Sequence, residues 1–324
     1  MFFQSECGYS QFSAYSPLCN ECLSLSEQVT MKDNLSAYVY FAGWRLVRWL
    51  PESTAYKLAY RVSDFLVKRN GKSVQRLRSN LSRTQPGMTT LDLDLLVIEA
   101  MRSYMRYWCD TFRLPDWSKE RIIQTTSVTN EHLLTDAIAA KTGVIVAVPH
   151  AGNWDHAGAY FCAKGIRLVT VAERLKPEKL FLKFLAYRQA MGMEVLPLDG
   201  RVLNTLEERL NEGALVALVS DRDLSRSGIE VDFFDGVARM PAGPALLALR
   251  TKAPLITAFV SYTETGVHIE FRNVILPSSG DERGKVKEII QMTAQYFEDG
   301  ISENPQDWHM LQRIWIDGDF KERS

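Results

Sequence analysis

The chain has 324 residues, 46% hydrophobic and 24% charged, the balance of a globular protein with enough apolar material for a sizeable core. The net charge of -1 hides an asymmetry: residues 35–84 carry ten Lys or Arg against two acids, Glu52 and Asp64, a local +8 that asks for an anionic partner, either a lipid surface or nucleic acid. No apolar run reaches the roughly 18 residues of a membrane-spanning helix, and among five cysteines Cys19-x-x-Cys22 has no second ligand pair, which leaves a metal site unsupported and fits a reducing compartment.

Residues 1–30 are Ser-rich, without period, and contain no Lys or Arg, so they lack the basic start of a secretory signal. They read as a disordered extension or a misassigned start before Met31. From Leu35 the apolar residues follow helical spacing through Tyr38, Val39, Ala42, Leu46, Trp49 and Leu50, and Pro51 ends the segment. Trp44, Arg45, Arg48 and Trp49 suit a membrane-docking helix lying in the plane of a bilayer, the alternative being a core helix with buried tryptophans. Helical patterns continue over 54–69, 72–83 and 92–112, the last with an aromatic stripe (Tyr104, Tyr107, Trp108, Phe112) read as core.

The pattern then changes. Val144–Val148 is a continuous β-branched run, the mark of a strand covered on both faces. Helices at 153–164, 178–191, 202–212, 241–251 and 283–302 alternate with strands at 168–171, 193–197, 214–219, 255–262 and 267–274. The fold class is therefore α/β: a mostly parallel or mixed central sheet flanked by helices, with an N-terminal helical subdomain for membrane docking. A single domain is expected over 31–318, helical at 35–112 and α/β at 140–318, followed by a tail at 319–324.

Of five histidines, His150 alone directly follows a buried strand, where α/β sheets place ligands. Gly152 permits a close turn, Asn153 can cap the next helix, and Asp155 falls in that helix's first turn. The expected chemistry is a dyad in which Asp155 fixes the His150 tautomer and His150 takes a hydroxyl proton, with amides near Gly152 and Asn153 holding an oxyanion. Asp221-Arg222-Asp223 follows another strand and can bind an acceptor hydroxyl, support the dyad, or serve as a metal–nucleotide Asp-x-Asp. Arg226, Arg239 and the helix start at Gly243-Pro244 suit phosphate. Glu173, Arg174 and Lys176, with Arg188 in the next helix, suit an anionic head group. Glycine-rich nucleotide loops and a GxSxG elbow are absent from the sequence, as is a nucleic-acid recognition motif.

Pro149-His150-Ala151-Gly152-Asn153-Trp154-Asp155 resembles the HX4D motif of the bacterial lipid A late acyltransferase family. Val171–Glu178, Asp221–Gly228, Val231–Phe234, Arg239–Pro244 and Asp307–Gln312 narrow the likeness to its phosphatidylinositol mannoside acyltransferases, over about residues 35–316. That resemblance implies a peripheral enzyme on the cytoplasmic face of the membrane, with acyl-CoA as co-substrate and no cofactor. It would move a palmitoyl-like chain to the 6-hydroxyl of a mannose. It carries the catalytic pair onto His150 and Asp155, an acceptor-side carboxylate onto Asp221, where the family usually has Glu, and binding roles onto Glu173 and Arg188. The competing readings are a metal-dependent glycosyltransferase using Asp221-x-Asp223 and a non-catalytic lipid-binding protein.

Overall fold

The computed structural model describes residues 40–172, 178–198, 201–223, 225 and 227–317. Helical residues 40–49 (α1) stop where Pro51 holds an extended backbone, φ -53° and ψ 141°. Three longer helices follow: α2 (Glu52–Arg69), α3 (Lys72–Thr84) and α4 (Thr90–Arg113). Thr89 caps α4 by accepting the Asp92 N–H at 3.2 Å. Helices α2 and α4 run antiparallel, joined at one end by Tyr56 donating to Asp110 and at the other by Arg102 on Asp64, 2.8 Å through each of two nitrogens.

Trp44 requires a correction. It is buried, 4% exposed, stacks on Phe112 at 4.8 Å and donates Nε1–H to Phe112 O at 3.1 Å. An indole so enclosed is core and cannot touch a lipid surface. Its neighbours differ: Arg45 is exposed, Arg48 Nε donates to Asp116 Oδ2 at 2.7 Å, and Trp49 is 82% exposed. No helix among the described residues is long and apolar enough to cross a membrane.

After the short helix α5 (Lys119–Gln124) come strand β1 (Thr126–Thr129) and helix α6 (His132–Ala139). The alternating part then runs β2 (Val144–Val148), α7 (Trp154–Ala163), β3 (Leu168–Ala172), α8 (Glu178–Ala190), β4 (Glu194–Pro197), α9 (Val202–Asn211) and β5 (Leu215–Val219). Two strands, β6 (Ile229–Phe233) and β7 (Gly236–Met240), form a separate hairpin. Helix α10 (Gly243–Thr251), strands β8 (Leu255–Tyr262) and β9 (Val267–Val274) and helix α11 (Glu282–Glu303) complete the order.

Seven strands form one mixed sheet in the order β1-β9-β8-β2-β5-β3-β4. Strand β9 pairs antiparallel with β8 and parallel with β1; the remaining pairs are parallel. β2 is buried at all five positions because both faces are covered, which is why its sequence is an unbroken apolar run. One face packs on α9, α10 and α11, the other on α6 and α7. The β2–β5 register, Val148 beside Val219, brings the two strand ends and the turns after them side by side.

Candidate active site

His150 and Asp221 each lie two residues beyond those paired strand ends, so the register makes them neighbours. The ring Nδ1 of His150 is 2.6 Å from Asp221 Oδ1, and the His150 backbone N–H donates to Asp221 Oδ2 at 3.0 Å. Trp308 Nε1–H donates to the same Oδ2 at 3.1 Å. The Asp221 side chain is sealed, whereas 37% of the His150 side chain is exposed, so the pair has a wet end and a dry end. Burial alone would raise the Asp221 carboxyl. The His150 charge and the hydrogen bonds from the His150 ring, the His150 N–H and Trp308 outweigh it, and hold the carboxyl below its ordinary value.

This arrangement corrects the expected dyad. The Asp155 carboxylate does not receive the imidazole; it accepts from Arg188 (Nε to Oδ1 at 2.8 Å, Nη2 to Oδ2 at 3.4 Å) and from the Tyr107 hydroxyl at 3.1 Å. The reason is geometric. As the first turn of α7 starts, Asp155 points into the layer beneath the sheet, toward α4 and α8, and is 2% exposed. Arg188 is thus committed to a buried ion pair. Its guanidinium is held charged above its ordinary value, since Asp155 and the Tyr107 oxygen outweigh the burial that opposes it. Asp221, for all that its side chain is short, reaches the imidazole directly, Oδ1 lying 2.6 Å from Nδ1.

Gly152 is the turn residue expected, with φ +55° and so little room that a Cβ would lie 2.3 Å from Val260 O. Its N–H, however, donates to Asp307 O at 2.8 Å and is not available to an oxyanion. Asn153 Oδ1 caps α7 by accepting the His156 N–H at 2.9 Å, while its buried Nδ2 has no hydrogen-bond partner among the described residues.

Asp221 and Asp223 do not converge as an Asp-x-Asp metal pair would require. Asp221 is taken by His150 and Trp308, and Asp223 Oδ1 accepts the Ser225 N–H at 2.7 Å. Among the described residues, no group of three or more His, Cys, Asp or Glu is arranged to hold a metal ion. Arg222 sits between the two acids, half-buried, and Arg239 is paired with Glu230 at 2.8 Å. Glu173, Arg174, Lys176 and Arg226 lie outside the described residues.

Several residues of the site carried no assigned task in the sequence. Trp154 meets the His150 ring edge-on at 5.6 Å and stacks on Tyr107 at 4.3 Å, so the aromatic stripe of α4 is a wall of the site. The segment Asp307–His309 runs antiparallel to the His150 turn as a strap: His309 N–H donates to His150 O at 2.7 Å, and Ala151 bridges Trp308. The signal available was the block Asp307–Gln312, which the sequence singled out only as part of the family likeness.

Next to the strand ends that carry the pair, a largely apolar hollow extends between the sheet and α7, with about 650 Å³ of empty space, open solvent included, and with Asp155 and Arg188 in its wall. Val148, Val219 and Trp154 line the end near His150, and Leu168, Leu215 and Met193 the other, so it runs along the strands. Ala157 and Gly158 keep the α7 side low.

With this fold, and this pair above an apolar cavity, the chain is an enzyme of the acyltransferase class. It belongs to the bacterial lipid A biosynthesis acyltransferase family, which it matches over residues 25–316. It is similar to the phosphatidylinositol mannoside acyltransferase of Mycolicibacterium smegmatis, 38% identical over 298 residues that cover 91% of this chain and 96% of that one. It is equally similar to the phosphatidylinositol mannoside acyltransferase of Mycobacterium tuberculosis, 38% identical over 284 residues, 86% of this chain and 88% of that one.

Proposed function

We propose that the enzyme transfers a palmitoyl-like chain from acyl-CoA to the 6-hydroxyl of a mannose on phosphatidylinositol mannosides, with His150 as general base and Asp221 as its partner. The observation that carries this reading is the 2.6 Å contact between His150 Nδ1 and a fully buried Asp221. A carboxylate there fixes the tautomer, so Nδ1 donates and Nε2 is left as the acceptor. Nε2 has no hydrogen-bond partner among the described residues, as a base awaiting a hydroxyl requires. The names of the similar mycobacterial proteins support the acceptor.

The acceptor oxygen gives its proton to His150 Nε2 and attacks the thioester carbonyl carbon. The tetrahedral adduct then breaks its C–S bond, and His150 returns the proton to the departing CoA sulfur. Products are the ester and the free thiol. Asp221 stabilises the imidazolium between the two proton transfers. The apolar lining of the cavity suits an acyl chain, as hydrophobic walls suit hydrophobic ligands. Exposed Trp49 and the basic residues of 35–84 would rest on an anionic membrane surface at the cytoplasmic face, each well-placed charge adding about 1 kcal/mol.

The test is direct. Purified protein with palmitoyl-CoA and a panel of glycolipid acceptors should release free CoA thiol only when a mannoside acceptor is present. His150→Ala should lower kcat by about 10²–10⁴-fold while keeping the native circular dichroism. Turnover close to normal in that variant would refute the mechanism, and indifference to the acceptor would refute the substrate.

A further inference from the structure

The mechanism above leaves unused the one side-chain donor, besides His150, that reaches Asp221 among the described residues, the indole N–H of Trp308. Trp308 is fully buried, and its ring packs against Phe233 at 6.0 Å and Trp315 at 6.1 Å. Its backbone belongs to the strap that hydrogen-bonds the His150 turn on both sides, through Gly152 N–H to Asp307 O and His309 N–H to His150 O. Asp307 in turn accepts from Ser103 Oγ at 2.7 Å and from the Tyr262 N–H at 2.8 Å, so the strap is tied to α4 and β8.

The two oxygens of Asp221 have separate duties. Oδ1 faces the His150 ring; Oδ2 takes the His150 backbone N–H and the indole. We propose that Trp308 is the positioning residue of the dyad: its indole N–H holds Asp221 in the rotamer that offers Oδ1 to His150, and, by sharing the carboxylate's charge, it sets the pH below which the dyad is shut off. This rests on the reading of His150 as the base.

The sign follows from the chemistry. A donor aimed at the ionised carboxylate makes the dyad less basic. Without it the dyad keeps a proton to higher pH, and a protonated dyad cannot accept the hydroxyl proton. The other titratable groups facing the pair do not supply this control. His309, from the strap, is driven down to about 3 by burial and then by the His150 charge, so it stays neutral across the working range. Arg222 and Asp223 follow Asp221 on its own loop, with Asp223 turned to the Ser225 N–H.

The experiment compares kcat/KM against pH, with palmitoyl-CoA and a mannoside acceptor, for the unmutated enzyme, Trp308→Phe and Trp315→Phe. Trp315 belongs to the same aromatic cluster, and its indole donates to the Phe233 carbonyl at 2.8 Å, away from the dyad. Trp308→Phe should move the acid limb up by about one pH unit and lower the plateau by about tenfold. Trp315→Phe should leave the limb where it is. An unmoved limb in Trp308→Phe, or an equal shift in both variants, overturns the proposal.

A second measurement leaves Trp308 in place. With ¹⁵N-tryptophan in the full chain, which has seven tryptophans, an indole signal that survives in Trp154→Phe, the variant lacking the indole edge-on to His150, should titrate with the dyad, and Asp221→Asn should displace it and stop the titration. Silence of every indole signal in Trp154→Phe overturns the proposal even if Trp308→Phe does not fold. Because this readout needs no turnover, it separates the two claims. A titrating indole alongside an active His150→Ala sinks the catalytic reading alone; a silent indole in an enzyme that depends on His150 sinks only the role of Trp308.

Discussion

Asp155 shows how a residue can sit in the right motif and do a different job. Its oxygens hold Arg188 and Tyr107 in a layer where Arg188 is 18% and Asp155 2% exposed. Removing one partner of such a pair strands the other charge without water. Asp155→Asn should therefore destabilise the protein by roughly 3 kcal/mol, seen as a lower Tm, with activity lost largely through that unfolding. Asp221→Asn should behave in the opposite way, with a Tm near normal and kcat down by about 10³–10⁴, since the amide presents the wrong group to Nδ1. Calorimetry and turnover on the two variants together decide which carboxylate serves the imidazole. The motif spacing made a carboxylate near His150 legible. It did not say which one, because that depends on where the first turn of α7 aims its side chains and on a pairing between strands 71 residues apart in sequence.

At the level of elements, the contact between α2 and α4 contains Asp110, enclosed and hydrogen-bonded by Tyr56. Burial raises its carboxyl to about 6, partly countered by the Tyr56 hydrogen bond and by Arg106. A carboxyl raised in the folded state binds its proton more tightly there than in the unfolded chain. Its contribution to stability is therefore greatest at low pH and falls as pH rises from about 4 to 6, by roughly 1.4 kcal/mol for each pH unit crossed in that window. Relative to Asp110→Asn, the unmutated protein should lose ground in Tm between pH 4.5 and 7. A constant difference across that range would show that Asp110 is ordinary in the folded state.

The same scale shows what periodicity reveals. β2 and β8 were legible as strands because they are buried along their length, and β9 because buried Val267, Ile269 and Phe271 alternate with His268, Glu270 and Arg272; the strongly periodic α4 and α11 came within two residues of their ends. β1 was missed because Thr126-Ser127-Val128-Thr129 offers a single apolar side chain; its strand conformation comes from pairing with β9. The β6–β7 hairpin was missed although Asp235-Gly236 is a hairpin signal: the turn itself is Phe234-Asp235, both at positive φ (45° and 46°), one residue ahead of the Asp-Gly pair, with Gly236 already opposite Phe233 in the ladder. Phe234 accepts that backbone while its ring packs against Phe233 at 4.8 Å and its N–H donates to Glu298 at 2.7 Å.

For the whole molecule, composition located the basic segment but not which of its side chains face outward. Trp44→Ala should cost about 3–5 kcal/mol as a core truncation and leave binding to anionic vesicles unchanged in the folded fraction. Trp49→Ala should leave Tm unchanged and weaken vesicle co-sedimentation, more so at low salt, where the neighbouring charges act over a longer range. Equal behaviour of the two variants would remove Trp49 from the membrane contact. The strap has a consequence on this scale as well. Trp308 lies 87 residues downstream of Asp221 and 158 downstream of His150, so a ribosome has delivered every strand of the sheet before it delivers the brace. A chain grown as far as Asp221 already carries the imidazole and the carboxylate, which the β2–β5 register sets side by side, but it lacks the indole that takes up the carboxylate's second oxygen.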